Sequence, residues 1–275
     1  MIYDCLMFND EVDLLDIRLR HHRAFVDHTI IIEATHTYSG RPKERQAMQS
    51  QELQREMRDG RATIIGIDAK PTKRHPAGWA FEHLQRNMLR GFSFRPDDII
   101  IYCDTDEIVR DGHVIRAFQT TGLPIISLQM DLYFYYLNTR LARGNIPGAN
   151  YHVAPCFKSK WHMGKILRAD HLLRVNNLYE LREHQLWDNP PDLVTHAGWH
   201  YSNLGTPERI ASKCQAISHY ADPEFATVNA ETVAARRAGL SDLCGRLGVE
   251  FEIVPNREVV PEALEEKYRG FFLGT

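Results

Sequence analysis

Four short apolar runs punctuate the first hundred residues: "IYDCLMF" (2–8), "HTIIIEA" (28–34), "ATIIGI" (62–67) and "DDIIIYC" (97–103). The segments between them are patterned as helices. Val12, Leu15 and Leu19 recur at helical spacing behind Asn9 and Asp10 as caps. The polar stretch 43–59 reads as a surface helix stopped by Gly60, and "WAFEHLQRNMLRGF" (79–92) as a third helix. Runs that are apolar throughout suit strands buried on both faces, and strands alternating with helices build a sheet covered on both sides. The expected fold is α/β, with a mixed, mostly parallel central sheet.

After Pro124 the pattern changes. "PIISLQM" and "LYFYYLN" are adjacent β-like runs, followed by an irregular, aromatic-rich stretch to about Asn189. "DLVTHAGWHYS" (192–202) reads as a strand running into a loop. Thr206 caps a further helix with Pro207 in its first turn, where a missing N–H does no harm. The tail is helical apart from "VEFEIV" (249–254).

Composition removes several classes of function. At 275 residues, 43% hydrophobic and 25% charged, the chain can bury a full core without staples. Its 33 basic and 36 acidic residues give a net charge of −3, which lacks the basic footprint of a protein that grips nucleic acid by its phosphates. No nucleic-acid partner is expected. Cys5, Cys103, Cys156, Cys214 and Cys244 form no C-x-x-C pair, so reduced thiols are expected rather than a zinc ribbon or a disulfide framework. The start, "MIYDCLMFNDEVD", has no basic segment followed by a long apolar run, and no run reaches the ~20 residues of a bilayer span. A cytoplasmic protein with no transmembrane segment is expected.

The chemistry concentrates at "IIIYCDTDEI" (99–108), where a buried strand ends in Asp104, Thr105, Asp106 and Glu107. Strand alternation puts Asp104 and Asp106 on one side, at the carboxyl end where open α/β sheets bind ligands. Two carboxylates at close range call for a cation, and hard oxygen donors suit Mg²⁺ or Mn²⁺. A solvated acidic turn is the bland alternative. Two metal chemistries share the pattern. A haloacid-dehalogenase-type phosphotransferase uses the first Asp as nucleophile, but its motif lies near the N-terminus and continues with Gly-Thr. A nucleotide-sugar glycosyltransferase holds a cation on the donor's diphosphate, and a position after ~100 residues of strand and helix fits that. Three weaker signals accompany it. "THAGWHYS" (195–202) joins His196 and His200 to Trp199 and Tyr201, imidazoles beside aromatic faces that suit sugar rings. Glu33 and the hydroxyls after it, Thr35 first, lie at a strand's carboxyl end, where they reach ribose or base. Gln85, Arg86 and Arg90 on the 79–92 helix are placed to meet phosphate. Core packing, capping and a solvated helix face are the structural readings of these three.

The blocks "FNDEVDLLDIRLR", "VDHTIIIEATHTYSGRPK", "QRNMLRGF", "RPDDIIIYCDTDEIVRDG" and "HAGWHYSNLGTPE" resemble glycosyltransferase family 17 in order and approximate spacing, over about residues 4–215. This is the family of the β-1,4-mannosyl-glycoprotein 4-β-N-acetylglucosaminyltransferases. The resemblance implies a GT-A-like nucleotide-sugar fold, inversion at the anomeric carbon, UDP-N-acetylglucosamine as donor, a divalent cation and a carbohydrate acceptor. Asp104 and Asp106 match the family's aspartates, Glu107 its following acid, and Gly198-Trp199-His200 its Gly-Trp-His. Here Tyr201-Ser202 follow where the animal enzyme has Cys-Ser, and residues 139–190 match it poorly.

The expected assignment follows. The chain is one glycosyltransferase domain: a nucleotide-sugar half (1–123), an acceptor and metal-completing half (124–220) and a C-terminal extension (221–275). Asp104, Asp106 and His200 hold Mn²⁺ or Mg²⁺. Glu33, Thr35, Gln85, Arg86, Asp104, Arg182 and Trp199 contact the nucleotide sugar. Asp104, Asp106 and Glu107 act in catalysis, and Asp131 is the candidate base. Gly198 lets the chain pass closely beneath a ligand. A D-x-D phosphatase or phosphotransferase, and a non-catalytic carbohydrate-binding protein on the same fold, are the rival readings.

Overall fold

The computed structural model describes residues 1–70, 78–144, 160–183, 193–225 and 227–274. The order is β1 (Ile2–Phe8), α1 (Val12–His22), β2 (His28–Ala34), α2 (Gln51–Arg58), β3 (Ala62–Ile67), α3 (Trp79–Asn87), β4 (Ile99–Asp104), β5 (Glu107–Val109), α4 (Gly112–Thr121), β6 (Ile125–Phe134) and β7 (Thr139–Arg143). Then follow β8 (Lys160–Trp161), β9 (Lys165–Arg168), α5 (Ala169–Arg174), α6 (Tyr179–Glu183), β10 (Leu193–Ser202), α7 (Pro207–Cys214), α8 (Ala230–Ala238) and β11 (Glu250–Ile253).

The mixed α/β sheet is present, and it has two characters. β3, β2, β1 and β4 are neighbours and all parallel, with Tyr3 opposite His28 and Ile2 opposite Ile99. Their carboxyl ends therefore share one edge. Alternation splits β1 between two layers: Leu6 and Phe8 pack with Leu15, Leu19 and Leu53 of α1 and α2. Cys5 and Met7 pack with Phe81 of α3 and Leu172 and Leu181 of α5 and α6. β9 then pairs antiparallel with β4 and with β6. The β-like runs 124–130 and 132–138 prove to be one ten-residue strand, β6. It pairs parallel with β10 and antiparallel with β7 and β8.

Three local expectations change. Residues 43–46 lie outside the helix expected over 43–59. The Glu33 carboxylate takes the N–H groups of Gln46 (2.5 Å) and Ala47 (3.1 Å), and α2 begins only after Ser50, whose hydroxyl accepts from Leu53 N–H. Neither Asn9 nor Asp10 caps α1; Glu11 occupies the cap position, and its own carboxylate accepts from the N–H groups of both. Gly198 is required by a neighbouring strand, because a Cβ there would stand 2.0 Å from the Ile108 carbonyl oxygen of β5. Thr206 does cap α7, with Pro207 in the first turn. Cys5, Cys103, Cys214 and Cys244 are free thiols; Cys156 lies outside the described residues, as do residues 71–77 of the loop before α3. No helix among the described residues is long and apolar enough to cross a membrane.

A buried polar cluster joins α1 to the end of β4. Arg18, fully buried, makes a two-pronged ion pair with Asp4 of β1 (2.6 and 2.8 Å). Its remaining nitrogen donates to the carbonyls of Asp104 (2.8 Å), Thr105 and Glu107. His22 accepts from Val109 N–H at Nε2 (3.1 Å), so its Nδ1 carries the proton it gives to Asp4 (2.8 Å). Burial outweighs the pull of Asp4 and lowers the His22 pKa to about 4.

The unfolded chain, with an ordinary histidine, binds a proton between pH 6.5 and 4 that the folded chain excludes. Stability is therefore complete above pH 6.5 and falls as pH drops towards 4, by at most about 3 kcal/mol from this residue. Urea unfolding at pH 7 and pH 5 should show the loss in the wild type and a smaller one in His22→Gln. Equal losses would remove His22 from the cluster's energetics.

Candidate active site

The carboxyl ends of β1, β2 and β4 open into a cavity of about 270 Å³ closed on its far side by β6, β10 and α7. Both aspartates of the D-x-D turn line it. Asp104 lies between two guanidinium groups: Arg86 reaches it at 2.9 and 3.2 Å and Arg182 at 2.8 Å. Burial alone raises its carboxyl; Arg182 and Arg86 outweigh that and hold it below the usual carboxylate range. Asp106 accepts from Lys213 Nζ at 2.8 Å and faces His200 Nε2 at 3.5 Å. Burial raises this carboxyl too, and Lys213 and His200 together push it far down.

Behind the aspartates, charges alternate. Glu82, one turn before Arg86 on α3, accepts from it at 2.8 and 3.0 Å. Glu107 is fully buried, takes both prongs of Arg182 (2.6 and 2.7 Å), and accepts from Asp104 N–H (2.8 Å) and from Trp161 Nε1. Lys213 bridges Asp106 to Glu11 (3.0 Å). The lining thus carries four carboxylates, each already held by a cation, and five basic side chains, Lys43, Arg86, Arg182, Lys213 and Arg246. Such a lining favours an anion. Arg182 Nε is buried with no hydrogen-bond partner among the described residues, so one donor of the cluster remains unmatched.

The sequence-derived candidates divide into two groups. Asp104, Asp106, Gln85, Arg86, Arg182 and His200 line one cavity. Glu107, Glu33, Thr35, Trp199 and Asp131 do not. Glu107 is the buried anchor of Arg182. Glu33 is committed to the backbone of Gln46 and Ala47. Thr35 bonds to the Ile67 carbonyl and His36. Trp199 and Asp131 are displaced by strand alternation: His200 and Ser202 of β10, with Leu132 and Phe134 of β6, face the cavity, which sends Trp199 and Asp131, paired in register, to the other side. There Trp199 donates to the Glu258 carbonyl (2.7 Å) beneath Arg110, and Asp131 is held by Lys160 in a separate charged cleft. Sequence reasoning missed Lys213, Trp161, Glu11 and Arg18. Only Arg18, a lone cation on the buried side of an amphipathic helix, carried a readable signal.

For a divalent cation, no group of three or more His, Cys, Asp or Glu among the described residues could form a cage. The pair Asp106 Oδ1 and His200 Nε2 does fit as a two-donor site. Two ligands each ~2.1 Å from one cation, at right angles, stand about 3 Å apart, close to the 3.5 Å seen. Asp104, engaged by two guanidiniums, does not complete that pair.

Arg182→Met leaves Glu107 buried without a counter-charge. It should lower unfolding free energy by about 3–5 kcal/mol, measured by urea denaturation. A change below about 1 kcal/mol would show that the Arg182 charge is not what keeps Glu107 buried.

The family model for glycosyltransferase family 17 matches residues 1–148. No curated protein matches the chain. Solved structures similar to it include 4-diphosphocytidyl-2C-methyl-D-erythritol synthase from Anaerococcus prevotii, 11% identical, with a TM-score of 0.39 over 71% of this chain and 86% of that one. HddC from Yersinia pseudotuberculosis is 7% identical, with a TM-score of 0.36 over 72% and 89%.

Proposed function

Because the chain belongs to glycosyltransferase family 17, we propose that it transfers N-acetylglucosamine from UDP-N-acetylglucosamine to a carbohydrate hydroxyl, with inversion at the anomeric carbon. The family supplies the sugar-transfer chemistry, and the resemblance of the D-x-D and Gly-Trp-His blocks supports this donor. One observation carries the location: Asp106, in the turn between β4 and β5, meets His200 of β10, nearly a hundred residues later in the chain, in a cavity whose basic side chains are paired to acids.

The donor's diphosphate lies along Arg86, Arg182 and Lys213. These side chains exchange part of their carboxylate pairing for phosphate oxygens, and the buried Arg182 Nε gains an acceptor. Asp106 and His200 hold Mn²⁺ or Mg²⁺; imidazole as one of two protein donors favours Mn²⁺. A cation held there would neutralise charge that builds on a departing diphosphate. Glu107 and Glu82 take no part in the bond changes; they keep Arg182 and Arg86 aimed at the cavity. Asp104, which a D-x-D phosphotransferase needs as a free nucleophile, is held between two guanidiniums.

The test is UDP release from UDP-N-acetylglucosamine in the presence of Mn²⁺. EDTA should abolish it. Asp106→Asn should lower turnover by about 10²-fold or more in a protein that still folds, with a lower urea midpoint because Lys213 loses one of its two carboxylate partners. Full metal-dependent turnover in Asp106→Asn would overturn the assignment.

A further inference from the structure

Inverting transfer needs a group that takes the acceptor's proton, and Asp131 lies outside the cavity. The four carboxylates that line it are all engaged. Glu11 holds Lys213 and the N–H groups of Asn9 and Asp10, Glu82 holds Arg86, Asp104 holds Arg86 and Arg182, and Asp106 holds Lys213. A carboxylate fixed to a guanidinium or ammonium group is a weakened base. The imidazoles lining the cavity are His36, His200 and His219. His200 faces Asp106, and among the described residues the His36 ring bonds to the Thr35 hydroxyl, at 3.2 Å.

His219 differs from both. Its Nδ1 stands 2.7 Å from Asp222 Oδ2, inside a turn closed by Asp222 N–H donating to the His219 carbonyl at 2.8 Å. With the Nδ1 proton given to Asp222, the lone pair is on Nε2, which has no partner among the described residues. The ring stands edge-on to Trp79, with centroids 4.6 Å apart at 85°, so an aromatic wall fixes its plane. The segment that carries it is tied down on the same side: Ser39 N–H donates to the Ala216 carbonyl (3.3 Å), and Arg41 to the Gln215 side chain (2.8 Å). His219 follows α7, whose last turn carries Lys213 to Asp106.

We propose that His219, oriented by Asp222, is the general base for the acceptor, an inference that rests on this cavity being the donor site. As the acceptor oxygen bonds to the anomeric carbon, its proton passes to His219 Nε2. The electron pair of the broken carbon–oxygen bond leaves with the nucleoside diphosphate. Asp222 balances the imidazolium that results, the arrangement of a base held in one tautomer by a carboxylate. No cavity carboxylate is asked to release its cation during the step.

Transfer to water tests this without an identified acceptor. At saturating UDP-N-acetylglucosamine, His219→Gln should lower the rate of UDP release by about 10²-fold, while calorimetric UDP affinity with Mn²⁺ stays within about twofold. Asp222→Asn should show a smaller fall. Added imidazole should restore part of the rate in His219→Ala and none in Asp106→Asn. A His219→Gln rate within about threefold of wild type, or no imidazole rescue in His219→Ala, overturns the base assignment. Wild-type protein that does not bind UDP overturns the donor reading, and this inference with it.

Discussion

The geometry of the site depends on the buried guanidinium of Arg18. The turn that presents the two aspartates lies between β4 and β5; Tyr201 N–H of β10 takes the Asp106 carbonyl (2.8 Å), and a buried carbonyl left unmatched beside it is costly. Arg18 supplies the donors, reaching the carbonyls of Asp104, Thr105 and Glu107 from the first helix. Its charge is neutralised by Asp4 of β1, whose carboxyl Arg18 and His22 hold well below its ordinary range against the upward push of burial. Thr105 adds a bond from its hydroxyl to the Met7 carbonyl (2.7 Å). With the backbone held this way, Asp104 and Asp106 point into the cavity and Glu107 points inward to Arg182. The N-terminal helix thus positions residues nearly ninety places later in the chain.

Around that turn, charge is arranged as a chain of alternating acids and bases rather than as an open acidic patch. Glu82, Arg86, Asp104, Arg182 and Glu107 follow one another, and Glu11, Lys213 and Asp106 form a shorter row beside them. Taking one charge from such a row leaves its neighbour buried and uncompensated, which is why these residues act as a unit. An anionic ligand entering here adds acceptors to cations that are already ordered. Little reorganisation is then needed when charge builds on a leaving group.

Much of this was legible in the sequence. Four apolar runs at regular spacing placed the parallel strands, and the acids after "IIIYC" marked the strand end that opens into the cavity. The six candidates that meet there come from β4 and the turn after it, α3, α6 and β10. What escaped was set by pairing and register. Trp199 and His200 are adjacent in sequence, so alternation allows only one of them to face the cavity, and the motif alone does not say which. Glu33 sits at the expected strand end, but nothing local shows that the backbone of 46–47 folds back to claim it. Lys213 lies on a helix whose cap was legible, but nothing local says that its last turn meets Asp106, and Trp161 lies on a segment with no pattern of its own; both reach the site because β10 and β8 pair with β6. The ten-residue β6 also read as two strands, because the charged Asp131 falls between its two β-like halves.

The proposed reaction needs a nucleotide's diphosphate at the end of β4, between the D-x-D turn and β10. A crystal structure of the protein with UDP and Mn²⁺, using the anomalous signal of manganese, tests it most directly. An anomalous peak bound by Asp106 and His200 is expected, with diphosphate oxygens on the metal and within hydrogen-bond distance of Arg182 or Lys213. Nucleotide bound in the charged cleft beside Asp131 and Lys160, or manganese bound away from Asp106, would contradict it.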